Sequence, residues 1–471
     1  MDIQGSINTE QLDNIIYGRV ELALKKFGRL SDSEVVTPTE TVHNVIDMLP
    51  EEAISETAKI LDIASKEGEF ACGLYKKFGE KVKNNIISLP TSSLTYEFTR
   101  KVYRLLDMPI ENVIDSFTSY DIIETDNIYY STLQSMNINI IVGNPPYQDM
   151  GGSGGNNDAP IFQKFSMAAF GLNPRYSSLI IPARWFAAGR ENLLKDFRDY
   201  MLTSGKISKL ITYTNSADVF GSVEIKGGVC YYLYDSNFNK KKKCEYTLIK
   251  KDGTTIKEPR FLDDFDILIR DTRLSAIVKK VNEQRKKDKD DTVESLISND
   301  TPFGIPSNPK TSKKNPFNVS PTNKGAFDTP LYHIEDGVRK VEFVKRTDIR
   351  KNAQDIDKVK MFIPGASGSG NDSIVLGKPE IAPAGAVCSQ SYLYANFKTE
   401  DEAKNFVSYL KTKFFRVLVS AMKITQAANN KVYQFVPLLS LSKAWTDKDL
   451  YAKYHLEEDE IKYIESMIRD L

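Results

Sequence analysis

The feature that most constrains this chain is an apolar run, Ile138-Asn-Ile-Ile-Val, that passes without a break into Gly143-Asn144-Pro145-Pro146-Tyr147. A short apolar segment closed by turn residues reads as a buried strand. Two successive prolines cannot continue a hydrogen-bonded ladder, so the backbone must leave the sheet at that point. Around this junction strand-like and helix-like patterns alternate over roughly 200 residues. A strand over 59–64 precedes a helix over about 69–81. A second strand, 85–89, precedes a helix over 94–106, and a third unit places Tyr120-Asp-Ile-Ile near a strand end. Beyond the junction come a helix over 159–170, a strand over 177–182, a helix over 191–202 and strands over 209–213 and 228–234. Such alternation indicates an α/β domain with a mainly parallel sheet. Two helices are expected ahead of it. One, amphipathic, spans 8–27. The other starts at Pro38 with Thr37 as its cap, turns Val42, Val45, Ile46 and Leu49 inward and stops before Pro50.

The chain has 471 residues, more than one hydrophobic core usually organises. The expected division is a doubly wound, Rossmann-like α/β domain over 1–265, a linker or helical connection over 266–300, and a mixed α+β domain over 301–471. The connection carries the charged segment 282–291. No apolar run approaches the roughly 20 residues a membrane span needs, and the start lacks a basic region followed by an apolar stretch. A cytoplasmic protein with no membrane partner is expected. Cys72, Cys230, Cys244 and Cys388 are scattered without a CxxC pair, which speaks against a disulfide framework and a zinc site. His43, His333 and His455 have no ligand spacing either, so no metal is expected. Net charge is zero, but residues 301–440 hold 20 basic against 12 acidic side chains, while 1–300 hold 38 against 43. A basic block in an otherwise acidic chain is the expected footprint of a polyanion-binding region, and solvated surface charge is the alternative that gives the same count.

Ligands of open α/β sheets bind beyond the carboxyl ends of the strands, where Asn144-Pro145-Pro146-Tyr147 would lie. The prolines lock φ and remove two amide donors, leaving rigid carbonyl acceptors. An aryl amine is a weak nucleophile because its lone pair is delocalised into the ring. The Asn144 side-chain oxygen and the Pro145 carbonyl can both accept from such an NH2 group, draw its nitrogen toward tetrahedral geometry and free the lone pair. Tyr147 is placed to stack on the base that carries the amine. The bland alternative is a rigid turn after a buried strand.

With this tetrapeptide the chain resembles the adenine-N6 DNA methyltransferases of restriction-modification systems, in the arrangement where cofactor motifs come first, the catalytic motif second and the target-recognition domain last. The resemblance implies a Rossmann-like S-adenosylmethionine-dependent catalytic domain, a mixed α+β target-recognition domain, S-adenosylmethionine as cofactor, and methyl transfer to a base flipped out of double-stranded DNA. Val36-Thr-Pro-Thr-Glu is similar to the family's first cofactor segment, which implies contacts from Thr37 and Pro38. Ile60-Leu-Asp-Ile-Ala-Ser-Lys-Glu-Gly-Glu-Phe is similar to the next, implying roles for Asp62, Ala64, Gly68 and Phe70. Tyr120-Asp-Ile-Ile implies that Asp121 accepts from the cofactor's adenine amino group. Asn144 through Tyr147 form the catalytic set, with Asn144 also facing the cofactor. The segments 158–165 and 180–186 resemble those that follow the catalytic motif. The late segment 219–229 implies that Phe220 stacks on the face of the base opposite Tyr147. Two departures stand out. Lys66 replaces a glycine of the usual Asp-Pro-Ala-Cys-Gly-Ser-Gly, and the second strand ends in Ser88-Leu-Pro-Thr-Ser where the family carries a ribose-binding acid. The nearest carboxylate, Glu97, lies inside the next helix.

Weaker features complete the reading. The stretch 151–157 is glycine-rich and equally suits a closing loop or a plain connection; it lacks the Gly-Lys-Ser/Thr of a phosphate loop. Lysines 240–243 and the basic cluster at 285–289 read as solvated turns. Lys411-Thr-Lys-Phe-Phe-Arg and Met422-Lys-Ile-Thr-Gln interleave basic residues with aromatics and amides, as backbone and base-edge contacts require. Lys226, Lys411, Lys413, Arg416 and Lys423 are the candidate DNA contacts. No nuclease constellation or motor motif is apparent, so a restriction nuclease or motor is expected as a separate subunit or elsewhere in a longer polypeptide. Two rival functions remain at this stage: an amino-methyltransferase for RNA or protein glutamine, and a methyltransferase-like DNA-specificity subunit with weak or lost chemistry. Cytosine N4 poses the same chemical problem as adenine N6.

Overall fold

The computed structural model describes residues 36–148, 159–187, 191–221, 223–225, 227–312, 317–366, 373–423 and 428–471. The expected helix over 8–27, the glycine-rich stretch 151–157, Lys226 and the end of the 422–426 segment lie outside the described residues. By its internal contacts the chain divides into two compact units, residues 1–268 and 269–471.

Unit 1 is built on an eight-stranded sheet. In chain order its elements are α1 (Thr39–Ile46), β1 (Ile60–Ser65), α2 (Glu69–Phe78), β2 (Ile86–Pro90), α3 (Ser93–Leu105), α4 (Ile128–Ser135), β3 (Ile140–Gly143), α5 (Phe162–Gly171), β4 (Tyr176–Pro182), α6 (Glu191–Thr203), β5 (Ile207–Tyr213), α7 (Ala217–Phe220), β6 (Val229–Asp235), β7 (Glu245–Ile249) and β8 (Thr255–Lys257). The strand order is β2-β1-β3-β4-β6-β5-β7-β8. β2, β1, β3 and β4 run parallel, whereas β6 is antiparallel to β4 and β5. Every residue of β1, β3 and β4 is buried, as expected of strands covered on both faces, which read as continuous apolar runs. β8 at the sheet's end is largely exposed and only three residues long.

From β1 the chain moves outward to β2, then returns to place β3 on the other side of β1. That reversal makes the carboxyl ends of β1 and β3 a switch point, where a ligand crevice opens in such sheets. The third strand-helix unit departs from expectation. Val113 makes a single parallel bridge to Ser88, and Ser119–Ile122 is a short 3-10 turn rather than a strand end. Polar Asn112, Asp115 and Ser116 flank Val113 and leave too little apolar run for a strand. Helix α1 is capped at Pro38 without a side-chain bond, which corrects the expectation that Thr37 caps it.

Unit 2 holds two three-stranded sheets. One orders β10 (Val338–Lys345), β9 (Phe327–Glu335) and β13 (Val387–Cys388). The other orders β12 (Glu380–Ala382), β11 (Val359–Pro364) and β14 (Tyr392–Phe397). They accompany helices α8 (Thr272–Asp288), α9 (Glu400–Lys411), α10 (Lys413–Ser420), α11 (Asp447–Lys453) and α12 (Glu458–Met467). Helix α8 occupies the stretch expected as a connection. Its first half buries Leu274, Ile277, Val278 and Val281, and the charged residues expected as a solvated segment form its last turns. Among the described residues no helix is long and apolar enough to cross a membrane.

Candidate active site

β1 delivers Asp62 and then the loop Lys66-Glu67-Gly68 to the switch point. Gly68 caps α2 with a left-handed backbone (φ +79°), and a Cβ there would press on Val102 of α3 at 3.2 Å. Only glycine adopts this conformation without strain, and it turns the loop sharply back along the sheet. β3 delivers Asn144, Pro145, Pro146 and Tyr147, all buried. A Cβ on the last residue of β3, Gly143, would lie 3.4 Å from the Asp62 carboxylate, so the two strand ends meet closely.

Thr37, just ahead of α1, joins them. The Asn144 amide Nδ2 donates to the Thr37 hydroxyl at 3.0 Å, and that hydroxyl donates to Glu69 Oε1 at 3.3 Å. The other Glu69 oxygen accepts from the Glu67 amide at 3.0 Å. A carboxylate only accepts, so the Thr37 proton must point to Glu69 and its lone pair to Asn144. This relay fixes which end of the Asn144 amide carries the oxygen. On its other side the Lys66 Nζ donates to the Asn144 main-chain carbonyl at 2.8 Å. Lys66 and Glu67 are each 1% exposed and Glu69 is 5% exposed. In the sequence Lys66 stands out only as a replaced glycine and neither glutamate stands out at all, because a charged loop normally faces water.

Three carboxylates thus share a buried space with one lysine. Burial, reinforced by the charge of Glu69, pushes Asp62 up to about 8, and the same two causes push Glu67 up to about 8; Lys66 opposes the shift in both. Both Glu67 oxygens lack a hydrogen-bond partner among the described residues. Acids whose folded pKa is raised favour the folded state when protonated. That contribution is complete below about pH 4 and is lost as pH rises toward 8. The melting temperature of the ligand-free protein is therefore expected to fall between pH 5 and 8, and Glu67→Gln to flatten the fall. Thermal melts across that range that show no slope, or the same slope in the variant, would refute this picture of the cluster.

The remaining expected residues fall into place unevenly. Tyr147 and Phe220 meet edge to face, with ring centroids 6.4 Å apart and planes at 71°. No base-wide gap lies between them, so the expected sandwich is closed in this structure. The Tyr147 hydroxyl is buried with no hydrogen-bond partner among the described residues, and burial raises its pKa well above the usual phenol value. The Ala64 amide donates to Asp62 at 3.4 Å. Phe70 is completely buried in the core, which leaves its ring no open face. Asp121 binds the amide and hydroxyl of Thr118 at 2.7 and 2.9 Å, a capping arrangement separate from the Asn144 relay.

The candidate DNA contacts need correction. Arg416 is 1% exposed, and its guanidinium donates to the carbonyls of Thr412, Ile374 and Arg469. Lys423 is likewise buried, and Lys413 is paired with Glu465 and Asp470. Arg416 belongs to α10, which is buried at every position from Phe414 to Val419. Lys411 is exposed. No cluster of metal-ligating side chains occurs among the described residues.

Residues 43–220 match the model of the Eco57I restriction-modification methylase family. A curated Mycoplasma pneumoniae protein, described as an uncharacterized adenine-specific methylase, is 33% identical over 153 residues, which make up 31% of this chain and 36% of the relative. The type IIG restriction endonuclease BpuSI is 15% identical, with 95% of this chain and 63% of the other covered at a TM-score of 0.39. The methyltransferase subunit of a type I restriction-modification system from Streptococcus thermophilus is 14% identical, with coverages of 56% and 57% and a TM-score of 0.40. A nuclease-deletion mutant of the type ISP enzyme LlaGI, solved with a DNA substrate mimic, is 12% identical, with coverages of 98% and 57% and a TM-score of 0.49. The chain spans about a third of the curated relative's length and about three fifths of each of these structures.

Proposed function

We propose, from the premise that residues 43–220 form an Eco57I-type restriction-modification methylase domain, that this protein transfers a methyl group from S-adenosylmethionine to N6 of an adenine in double-stranded DNA. The observation that carries the reading is the Asn144 amide, buried at the end of β3 and oriented through Thr37 by Glu69. Held this way, the Asn144 oxygen and the Pro145 carbonyl accept the two N–H groups of the target amine. The nitrogen is drawn out of conjugation and its lone pair becomes available. Pre-aligned acceptors of this kind need no reorganisation during the reaction.

S-adenosylmethionine, when bound, supplies a methyl group on a positively charged sulfur and also carries an ammonium group. The donor set suits it: three acids, Asp62, Glu67 and Glu69, face one lysine, a nearby cationic ligand favours their ionised forms, and Gly68 permits close approach of the backbone. Thr37, Pro38 and Ala64 border the same strand ends, and Asp121 is assigned to the cofactor's adenine by resemblance alone.

Adenine must leave the duplex to reach Asn144, at a cost of a few kcal/mol. Tyr147 and Phe220 receive it, and stacking on such rings contributes about 1–3 kcal/mol per base. Because the rings now touch, entry of the base has to part them. Unit 2 is assigned to target recognition, with Lys411 as an exposed basic residue available to DNA. A restriction nuclease or motor, as a separate subunit or in a longer polypeptide, is the partner this reading proposes.

The test is transfer of tritium from labelled S-adenosylmethionine to unmethylated plasmid DNA, to RNA and to a protein mixture, each offered separately. Label confined to DNA is expected. Label in RNA or protein would reassign the substrate, and tight DNA binding without any label would favour a specificity subunit.

A further inference from the structure

We infer that Lys66 is a positioning residue that clamps the catalytic loop from the cofactor side. The loop is poor in donors because Pro145 and Pro146 have no N–H. The two residues that follow therefore offer the Asn144 carbonyl no donor of their own, and a carbonyl at the end of a buried strand needs one. Lys66 meets that need: its side chain, 1% exposed, runs from the β1–α2 loop to the Asn144 oxygen at 2.8 Å.

The consequence is geometric. The Asn144 carbonyl defines the plane of the Asn144–Pro145 peptide, proline fixes φ at residue 145, and the proline that follows confines ψ there to extended values. Once Lys66 holds that plane, the direction of the Pro145 carbonyl is largely set. The Asn144 side chain is held independently by Thr37. The two acceptors proposed for the target amine are thus aimed from two different elements, one through α1's leading segment and one through the β1–α2 loop. Asp62 and Glu67 lie close enough to Lys66 to feel its charge, so the acids that suit a cationic cofactor also surround the clamp. Lys66 touches neither reacting atom in this scheme. It acts through the backbone it holds.

The kinetic consequence rests on the functional reading above; the clamp itself does not. Lys66→Met keeps the side chain's length and removes the donor, and Lys66→Arg keeps a donor. Hydrogen exchange at the Asn144 and Tyr147 amides, measured on the full chain without cofactor, is expected to speed up at least tenfold in Lys66→Met and to stay within about threefold of wild type in Lys66→Arg. Single-turnover methyl transfer is expected to fall at least tenfold in Lys66→Met while the dissociation constant for S-adenosylmethionine changes less than threefold. Unchanged exchange at residues 144–148 in Lys66→Met would overturn the clamp, whether or not the wild-type protein methylates. A rate loss matched by an equal loss of cofactor affinity would make Lys66 a cofactor-binding residue instead and also overturn it. Should Lys66→Met fail to fold, loss of protection in a folded Lys66→Arg would count against the clamp, and preserved protection would support it. Absence of methyl transfer in wild type, with exchange behaving as expected, would sink the functional reading alone.

Discussion

Asn144→Ala is expected to lower methyl transfer to duplex DNA by at least a hundredfold, roughly the loss seen when one pre-aligned hydrogen-bonding group of a reaction centre is deleted, while leaving DNA affinity within a few fold. The substitution removes the side-chain oxygen that accepts from the target amine and the Nδ2 that donates to Thr37. It leaves the main-chain carbonyl, and hence the Lys66 contact, in place. Thr37 keeps its bond to Glu69, so the relay is shortened and no charged group loses its partner. A stability loss of about 1–2 kcal/mol is the expected scale for one buried polar pair, too small to unfold the domain. Affinity for duplex DNA comes mainly from phosphate contacts, and Asn144, 1% exposed, is in no position to make them. Rate and affinity measured side by side on the folded variant separate the two effects. A variant that retains near-normal turnover would remove Asn144 from the chemistry.

The largest effect on stability is expected from Gly228→Ala. Gly228 stands at the entry to β6 with φ +76°, and an added Cβ would overlap the Tyr213 carbonyl oxygen and sit 3.1 Å from the Thr214 backbone. The backbone conformation alone disfavours an L residue by about 1–2 kcal/mol. The clash is with main chain, which cannot swing aside, and overpacking of this kind costs about 1–3 kcal/mol more. Gly228 also accepts from the Ala183 amide at 3.0 Å, which ties β6 to the end of β4, so a shift there spreads through two central strands. A fall in melting temperature on the order of 10 °C is expected at the usual ratio of roughly 2–4 °C per kcal/mol. Gly253→Ala is the control, since Gly253 has φ +82° but nothing within 4 Å of the added atom. It carries the backbone term without the clash. Equal losses in the two variants would show that the Tyr213 contact is unimportant.

The sheet was legible in the sequence because its inner strands are buried on both faces. Ile60–Ser65, Ile140–Gly143 and Tyr176–Pro182 are mainly apolar, with Asp62 the one carboxyl side chain among them, a pattern few other environments tolerate. Asn144 through Tyr147 were legible because two prolines after such a strand have one natural place, the crevice at its end. The third unit was not, since the strand expected near Tyr120 is reduced to one bridge at Val113. Thr37 looked like a helix cap because Ser, Thr and Asp are good caps before proline. The structure uses its hydroxyl on Asn144 and Glu69 instead, a contact across 107 residues that no local pattern encodes. Charge misled in the same way at two ends of the chain. Lys66 reads only as a replaced glycine, Glu67 and Glu69 carry no signal of burial, and Arg416 and Lys423 read as DNA contacts, yet all five are buried. For Lys66, Glu69 and Arg416, long-range geometry that supplies a partner, not the residue type, decides that the charge is hidden.

The central claim, methyl transfer to an exocyclic adenine amine at Asn144, is tested most directly by digesting the labelled plasmid to nucleosides and resolving them, with wild type and Asn144→Ala in parallel. Tritium in N6-methyladenosine's deoxy form for the wild type, and none there for the variant, is the predicted result. Label in N4-methyldeoxycytidine, or label in N6-methyldeoxyadenosine that persists in Asn144→Ala, would contradict it.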